Sequence, residues 1–257
     1  MALASSSPGE SEAVILIKAA PQVGMRHGET VCCAAIDLHG KWLRLYPVSF
    51  RHLDEGQKFG RWDRVRFRWR MPSDDGRIES RRVDQNSLTI TGELKPSERE
   101  RFLANSIISS LDKERQEGRS LALLKAEITG FHYERKPDDE IVAQKAKFDA
   151  LHAQPDLFNT KPLIPYSPAP YRFKYSYRTE DGRREGTCQD WEIEATFFKW
   201  AAEYGENRAL EFMQTRFGEE YPRKGMLFAM GTHSQYPDTW LINGIIRLDQ
   251  VQQFSLL

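Results

Sequence analysis

Cysteine is scarce: there are three in 257 residues, the adjacent pair Cys32 and Cys33 and the distant Cys188. Neighbours in a strand point to opposite faces, so Cys32 and Cys33 suit neither a shared metal nor a mutual bridge. No C-x-x-C or Cys/His ligand spacing occurs, which argues against a disulfide framework and a structural zinc site. Reduced thiols predict a cytoplasmic setting. An excess of one charge is lacking too. The 37 Lys and Arg balance 37 Asp and Glu, so no whole-molecule field steers the chain toward a polyanion or a membrane. No apolar stretch approaches the roughly 20 residues that span a bilayer. The N-terminal MALASSSPGESEA lacks the basic-then-apolar order of a secretory signal.

Several chemical motifs are also missing. There is no G-x-x-x-x-G-K-[ST], no G-x-G-x-x-G, no G-x-S-x-G elbow and no H-E-x-x-H. The H-x-E with P-C-x-x-C of zinc deaminases is absent. ATP hydrolysis, dinucleotide redox chemistry and zinc-dependent deamination are therefore disfavoured, and no metal or cofactor is expected.

What is present is a folding chain, with 40% hydrophobic and 29% charged residues. Residues 1–12 read as a disordered tail. Strands are predicted at Ala13–Ala19, at Glu29–Asp37 and Lys41–Val48 as a hairpin, over Arg64–Arg70, and twice more before Leu94. Short strands at this spacing predict a small β-barrel or curled sheet. Helical spacing of Phe102, Ile107, Ile108 and Leu111 predicts a helix over Pro96–Glu117. Leu121–Glu134 reads as one long strand and Asp138–His152 as a second helix. Four prolines in Asn159–Pro170 mark a linker or strap. Beyond it, a hairpin from Tyr171, two helices and two strands, Gly225–Gly231 and Thr239–Leu248, complete a mixed α/β portion. The fold class is α+β, divided as 13–158, 159–170 and 171–257, with the two folded parts possible as one domain. No internal repeat is visible.

The charge pattern points outward. Arg64, Arg66, Arg68 and Arg70 alternate with Val65, Phe67 and Trp69, so four guanidinium groups share one strand face. Such a row matches a phosphate backbone. Between Lys41 and Arg82, twelve Lys or Arg face six Asp or Glu. Tyr171, Phe173, Tyr175 and Tyr177 alternate with Arg172, Lys174 and Arg178 in the same way, and aromatic beside basic is the pattern of single-strand grooves. Both rows equally fit a core face backed by ion-paired cations.

Candidate chemistry gathers at a few places. Asp190 and Glu192 stand at a helix start, where a carboxylate could activate water or stabilise a sugar cation; a simple helix cap explains the same pattern. His233 joins the last two strands and could act as acid, base or phosphate donor. Trp191, Tyr236 and Trp240 could stack on a base. Arg44 and Tyr46 share a face with Trp42 by alternation, and Arg51 and His52 lie near that strand's end.

The blocks ETVCCAAIDLHGKWLRLYPVSFR, CQDWE and FAMGTH with TWLINGI resemble a family of small bacterial proteins of mostly unassigned function. In size and character the chain is also similar to bacterial anti-phage DNA glycosylases that remove hypermodified bases. The G-x-D-P-Y and H-P-S-P signatures of uracil-removing enzymes are absent, so that resemblance assigns no residue. The leading expectation is a DNA-acting hydrolase that excises modified or foreign bases. Arg44, Arg51 and the Arg64–Arg70 row would hold nucleic acid, and Asp190, Glu192 and His233 would carry the chemistry. The alternatives are a noncatalytic reader of modified or single-stranded nucleic acid and a metal-dependent nuclease.

Overall fold

The computed structural model describes residues 9–24, 28–153, 166–233 and 236–250. Met25, Arg26, His27, Ser234, Gln235 and most of the proline-rich stretch lie outside the described residues.

Seven strands form the first sheet: β1 (Gly9–Lys18), β2 (Gln22–Gly24), β3 (Gly28–Asp37), β4 (Trp42–Val48), β5 (Asp63–Arg70), β6 (Ser80–Val83) and β7 (Thr89–Glu93). The first strand begins four residues before the expected Ala13, because Gly9 to Glu12 already pair with Trp69 to Arg66 of β5. β1 pairs with β3 on one side and β5 on the other, closing a five-stranded ring in the order β1-β3-β4-β6-β5. The β4–β6 pair is parallel and the others antiparallel. β7 continues the line of β6 along β5, and β2 is a flap on β3. Numbered in chain order, the ring strands run 1-2-3-5-4-1 with a parallel 3–5 pair. That is the topology of an oligonucleotide/oligosaccharide-binding (OB) barrel.

The second sheet contains β8 (Ile107–Ile108), β9 (Leu121–Leu124), β10 (Glu127–Arg135), β11 (Tyr171–Thr179), β12 (Gly182–Cys188), β13 (Met226–His233) and β14 (Tyr236–Arg247), in the order β10-β11-β12-β14-β13-β9-β8. The expected long strand over 121–134 is thus two strands. They stand at opposite ends of the run β10 to β9, yet only Lys125 and Ala126 separate them in the chain. A two-residue link spans about 10 Å at most, so the sheet must curl until its ends meet. Counting β9 and β10 as one bent strand, the order is again 1-2-3-5-4, with β12–β14 as the parallel pair. The two sheets repeat one strand permutation that the sequence does not show as a repeat.

Helices fill the connections. These are α1 (Pro96–Leu103), α2 (Leu111–Gln116), α3 (Asp138–His152), α4 (Trp191–Tyr204), α5 (Glu206–Met213) and α6 (Tyr221–Lys224), with a π-helical turn joining the last two. The expected helix over Pro96–Glu117 is broken in the middle. Ile107 and Ile108 are β-branched and pair with Leu123 and Leu124, and the Ser110 hydroxyl accepts from Lys113 N to start a new helix. The change of sheet therefore falls at 94–106, and β9 and β10, which the proline-rich boundary at 159–170 placed in the N-terminal part, belong to the second sheet.

Apolar alternation explains the packing. Ala13, Ile15, Cys33, Ala35, Leu43, Leu45, Val65 and Phe67 fill the first barrel. The opposite faces of β1 and β3 are not solvated: Val14, Leu16, Ile17, Ala34 and Ile36 pack on Leu121, Leu123, Leu227, Ala229 and Ile246. Burial on both sides is why the AVILI run of β1 is continuously apolar. Each such side chain contributes roughly 1.5–3 kcal/mol of burial, so the barrels are held together by a core of their own. A third core lies inside the second sheet, where Phe131, Phe173, Tyr175 and Phe228 meet Phe197 and Phe217 from the helices.

Candidate functional site

The β5 arginines project as alternation requires, but most are neutralised. Arg64 reaches Glu98 at 3.7 Å, Arg66 reaches Glu12 at 3.1 Å and Arg68 reaches Asp84 at 2.9 Å. Arg70 has no ion-pair partner among the described residues. In place of the expected phosphate track there is a ladder of surface ion pairs, each contributing about 1 kcal/mol or less. The β11 row behaves alike. Its four aromatics are core, while Arg172 pairs with Glu140, Lys174 with Glu134 at 2.8 Å and Arg178 with Glu127 at 2.9 Å.

Asp190 caps α4 and is 3% exposed. Its carboxylate accepts from Glu192 N and Ile245 N, both at 2.9 Å, and from the Arg61 guanidinium at 3.5 Å. Arg61 also bonds Glu192 at 3.0 Å and the Ile245 carbonyl. The backbone of Asp190 bridges to Ala19 of the first barrel. Asp190 is therefore a clasp between β1, α4 and β14, and sequence reasoning missed Arg61, which sits in a loop without periodic pattern. Trp191 packs edge-on against Phe50 at 5.8 Å and Tyr166 at 6.2 Å, so it offers no stacking wall. Trp240 is buried in the core inside the second sheet. Arg51 is committed to the buried Glu29 at 3.0 Å.

Burial pushes the Asp190 carboxyl up to about 6 from 3.8, with Arg61 opposing the shift and Glu192 reinforcing it. A raised native pKa means that the folded chain holds this proton more tightly than the unfolded one. The stabilisation is complete below 3.8 and is lost as pH rises through about 6. Relative to Asp190→Asn, which cannot titrate there, the wild type should lose on the order of 2 kcal/mol between pH 4 and pH 7. Urea unfolding of both proteins at the two pH values measures it. A difference that does not change with pH would show that Asp190 titrates normally.

Asp190 and Glu192 line a crevice of about 70 Å³ with Arg61 and Tyr221. His233 is exposed at the end of β13, with its ring 5.6 Å from that of the exposed Tyr236, and lines a different cavity. The acid pair and the histidine expected to act together are thus in separate places.

That second cavity is a cleft of about 330 Å³ between the two barrels. The first barrel supplies its floor from β3 (Thr30, Cys32) and β4 (Arg44, Tyr46), one side from the segment after β1 (Ala20, Gln22), and the other from the loop between β5 and β6. The second barrel closes over it with Gln189, Thr232, His233, Leu241 and Asn243. Alternation along β4 puts Arg44 and Tyr46 on this face and Leu43 and Leu45 in the barrel. Arg44 is buried, and its guanidinium donates to Ser120 O at 2.9 Å and to Ser120 Oγ at 3.1 Å. Ser120 in turn donates from N and Oγ to the buried Glu79, both at 2.7 Å.

The β5–β6 loop is fixed by a tight clasp. Asp75 accepts from Arg77 Nε at 2.8 Å and Nη2 at 2.7 Å, and from Ser80 Oγ at 2.7 Å. Burial pushes the Asp75 carboxyl up, but these bonds outweigh it and hold it down at about 2. Arg77 also donates across the cleft to Thr232 O at 2.5 Å. Arg81 and Arg82 line the same side. Arg44, Arg77, Arg81 and Arg82 outnumber Asp74 and Asp75 along the cleft, with Arg77 held by Asp75 and Arg81 lying over the Trp69 ring at 4.5 Å. Of its residues the sequence singled out Arg44, Tyr46 and His233 and missed Arg77, Gln189 and Asn243, whose proximity is set by the docking of the barrels. Among the described residues no group of three or more His, Cys, Asp or Glu could hold a metal ion. No helix among them is long and apolar enough to cross a membrane.

Two family models match the chain. Residues 10–106 match a domain of unknown function (DUF8758), and residues 104–257 match a second domain of unknown function (DUF8757), which spans more than half of the chain. The chain belongs to the DUF8757 family. In this DUF8757 member the two matches meet at 104–106, at the change from the first sheet to the second. No curated protein matches it. One solved structure similar to it is that of a replication protein A heterotrimer bound to ssDNA, at 10% identity and a TM-score of 0.27 over 98% of this chain and 68% of that one. A superposition that loose identifies neither fold nor partner.

Proposed function

We propose that the protein binds nucleic acid in the cleft between its barrels and acts as a reader rather than as a base-excising enzyme. One observation carries this. The cleft lies on the face of the second and third strands of the first barrel, between the loops joining strands 1–2 and 4–5, and this is the surface with which OB barrels take up oligonucleotides and oligosaccharides. The arginine lining favours the anionic member of that pair. Tyr46, 39% exposed on this face, offers a ring for a base, and stacking of this kind contributes roughly 1–3 kcal/mol per base. On the corresponding strands of the second barrel, β11 and β12, Arg172, Lys174, Arg178 and Arg184 are already paired with carboxylates. Excision by Asp190, Glu192 and His233 would need all three around one sugar, and they line different cavities.

Fluorescence anisotropy with labelled single-stranded DNA and RNA over a salt series tests the reading. Binding should weaken as salt rises. Tyr46→Ala should weaken it about tenfold, while joint replacement of Arg64, Arg66 and Arg68 by glutamine should leave it within about twofold. No binding at low salt, or loss of binding only in the triple variant, would sink the proposal.

A further inference from the structure

The site is closed in ways that an open single-strand groove is not. The ends of β13 and β14 lie over the face, and the Arg77 guanidinium reaches from the β5–β6 loop to the Thr232 carbonyl at 2.5 Å. A strand running across the face would have to pass this strap. The cleft volume of about 330 Å³ is at the small end of the range for small-molecule sites, and fits one nucleotide rather than a tract.

The chemistry of the lining agrees. Gln22, Gln189 and Asn243 face the cleft, and their side-chain amides have no hydrogen-bond partner among the described residues. Each presents a donor and an acceptor side by side, the pairing that reads a base edge. At the deep end, Arg44 Nε is buried with no partner. Toward the outside, Arg82 stands directly opposite Arg70 across the β5–β6 pair. Arg70 is the one member of the β5 row without a carboxylate among the described residues, so an anion can lie between it and Arg82.

Resting on the nucleic-acid reading above, we infer that the cleft recognises one nucleotide at a time. The base goes inward to the amides beside Tyr46, and the phosphate lies outward at Arg82 and Arg70. The ligand is a nucleoside monophosphate unit, free or at the end of a strand.

Cys32 supplies a reporter. It is half-buried in the cleft, with Sγ 3.8 Å from Arg44 Nη1, while Cys33 and Cys188 are fully buried and burial pushes both thiols up. Calorimetric titration of the full chain with each ribo- and deoxyribonucleoside 5′-monophosphate, and with oligonucleotides of two, four and eight residues, tests the inference. Native alkylation of Cys32 by iodoacetamide is followed in parallel. At least one mononucleotide should bind within tenfold of the eight-residue strand and slow the alkylation at least fivefold. Gln189→Ala or Asn243→Ala should change which base is preferred, and Arg70→Gln should weaken binding for every base. A similar affinity for that mononucleotide and for strands ending in it identifies the strand end as a source, while a mononucleotide bound more than tenfold tighter identifies the free nucleotide. An eight-residue strand bound more than a hundredfold tighter than every mononucleotide overturns the single-nucleotide site and leaves nucleic-acid binding standing. Failure of both mononucleotides and strands to bind overturns the two together.

Discussion

Replacing Arg44 with methionine should destabilise the protein by about 3–5 kcal/mol, because it removes two hydrogen bonds made by a buried charged group, each contributing about 1.5–3 kcal/mol. Arg44 is 3% exposed and Glu79 5%, and the two are joined through Ser120, which accepts from the first and donates to the second. The arginine belongs to β4 of the first barrel, and Ser120 precedes β9 of the second sheet. Without the guanidinium, the Glu79 carboxylate keeps the two Ser120 bonds and the neighbouring Arg81 but loses the Arg44 charge. The loss is therefore greater than that of two ordinary hydrogen bonds, each contributing about 1 kcal/mol. Glu79→Gln in the Arg44→Met background should recover part of the stability, because a neutral amide tolerates the site better than a carboxylate that has lost Arg44. Urea unfolding of both single variants and the double variant completes the cycle. If the single costs add, the two groups do not act as a pair.

Gly244→Ala should cost about 1–3 kcal/mol by overpacking. A Cβ at Gly244 would stand 2.1 Å from Ile17 Cδ1 and 3.0 Å from Ile17 Cγ1 and Cγ2. Ile17 belongs to β1 and Gly244 to β14, so at this glycine the second sheet packs directly against the first barrel. Ile17→Val deletes the Cδ1 atom that makes the worst contact. Alone it should cost about 0.5–1.5 kcal/mol. In the Gly244→Ala background it should cost nothing or restore stability. Thermal unfolding of the two single variants and the double variant decides this. A double variant as unstable as the sum of the singles would place the strain elsewhere.

Much of the first barrel was legible in the chain. β3, β4 and β5 lie on the expected residues; β5 alternates because one face is buried in the barrel and the other is exposed, whereas β3 is buried on both faces. The short helix capped by Asp190 was also legible, as one of two readings. The expected helix over Pro96–Glu117 failed for a local reason: Phe102, Ile107, Ile108 and Leu111 satisfy helical spacing, but Ile107 and Ile108 find strand partners in β9. Spacing alone cannot separate a helix face from two isoleucines that leave the helix to join a sheet.

The site was less legible. The four β5 arginines are conspicuous in one dimension, yet the carboxylates that neutralise three of them come from β1, the turn after β6 and α1. Gln189, Thr232 and Asn243 carry no signal of their own, and reach the cleft only because the barrels dock through Ile17, Ala34, Leu227 and Ile246.

The amino-acid order by itself determined the α+β class and the strand faces, because these follow from periodicities of two and 3.6 residues acting on neighbouring positions. The tertiary structure alone decided that the second sheet repeats the permutation of the first, which arginines are paired, and that a cleft exists. Those properties depend on contacts between residues as far apart as Arg77 and Thr232 or Arg61 and Ile245, and no local pattern encodes a distance of that kind.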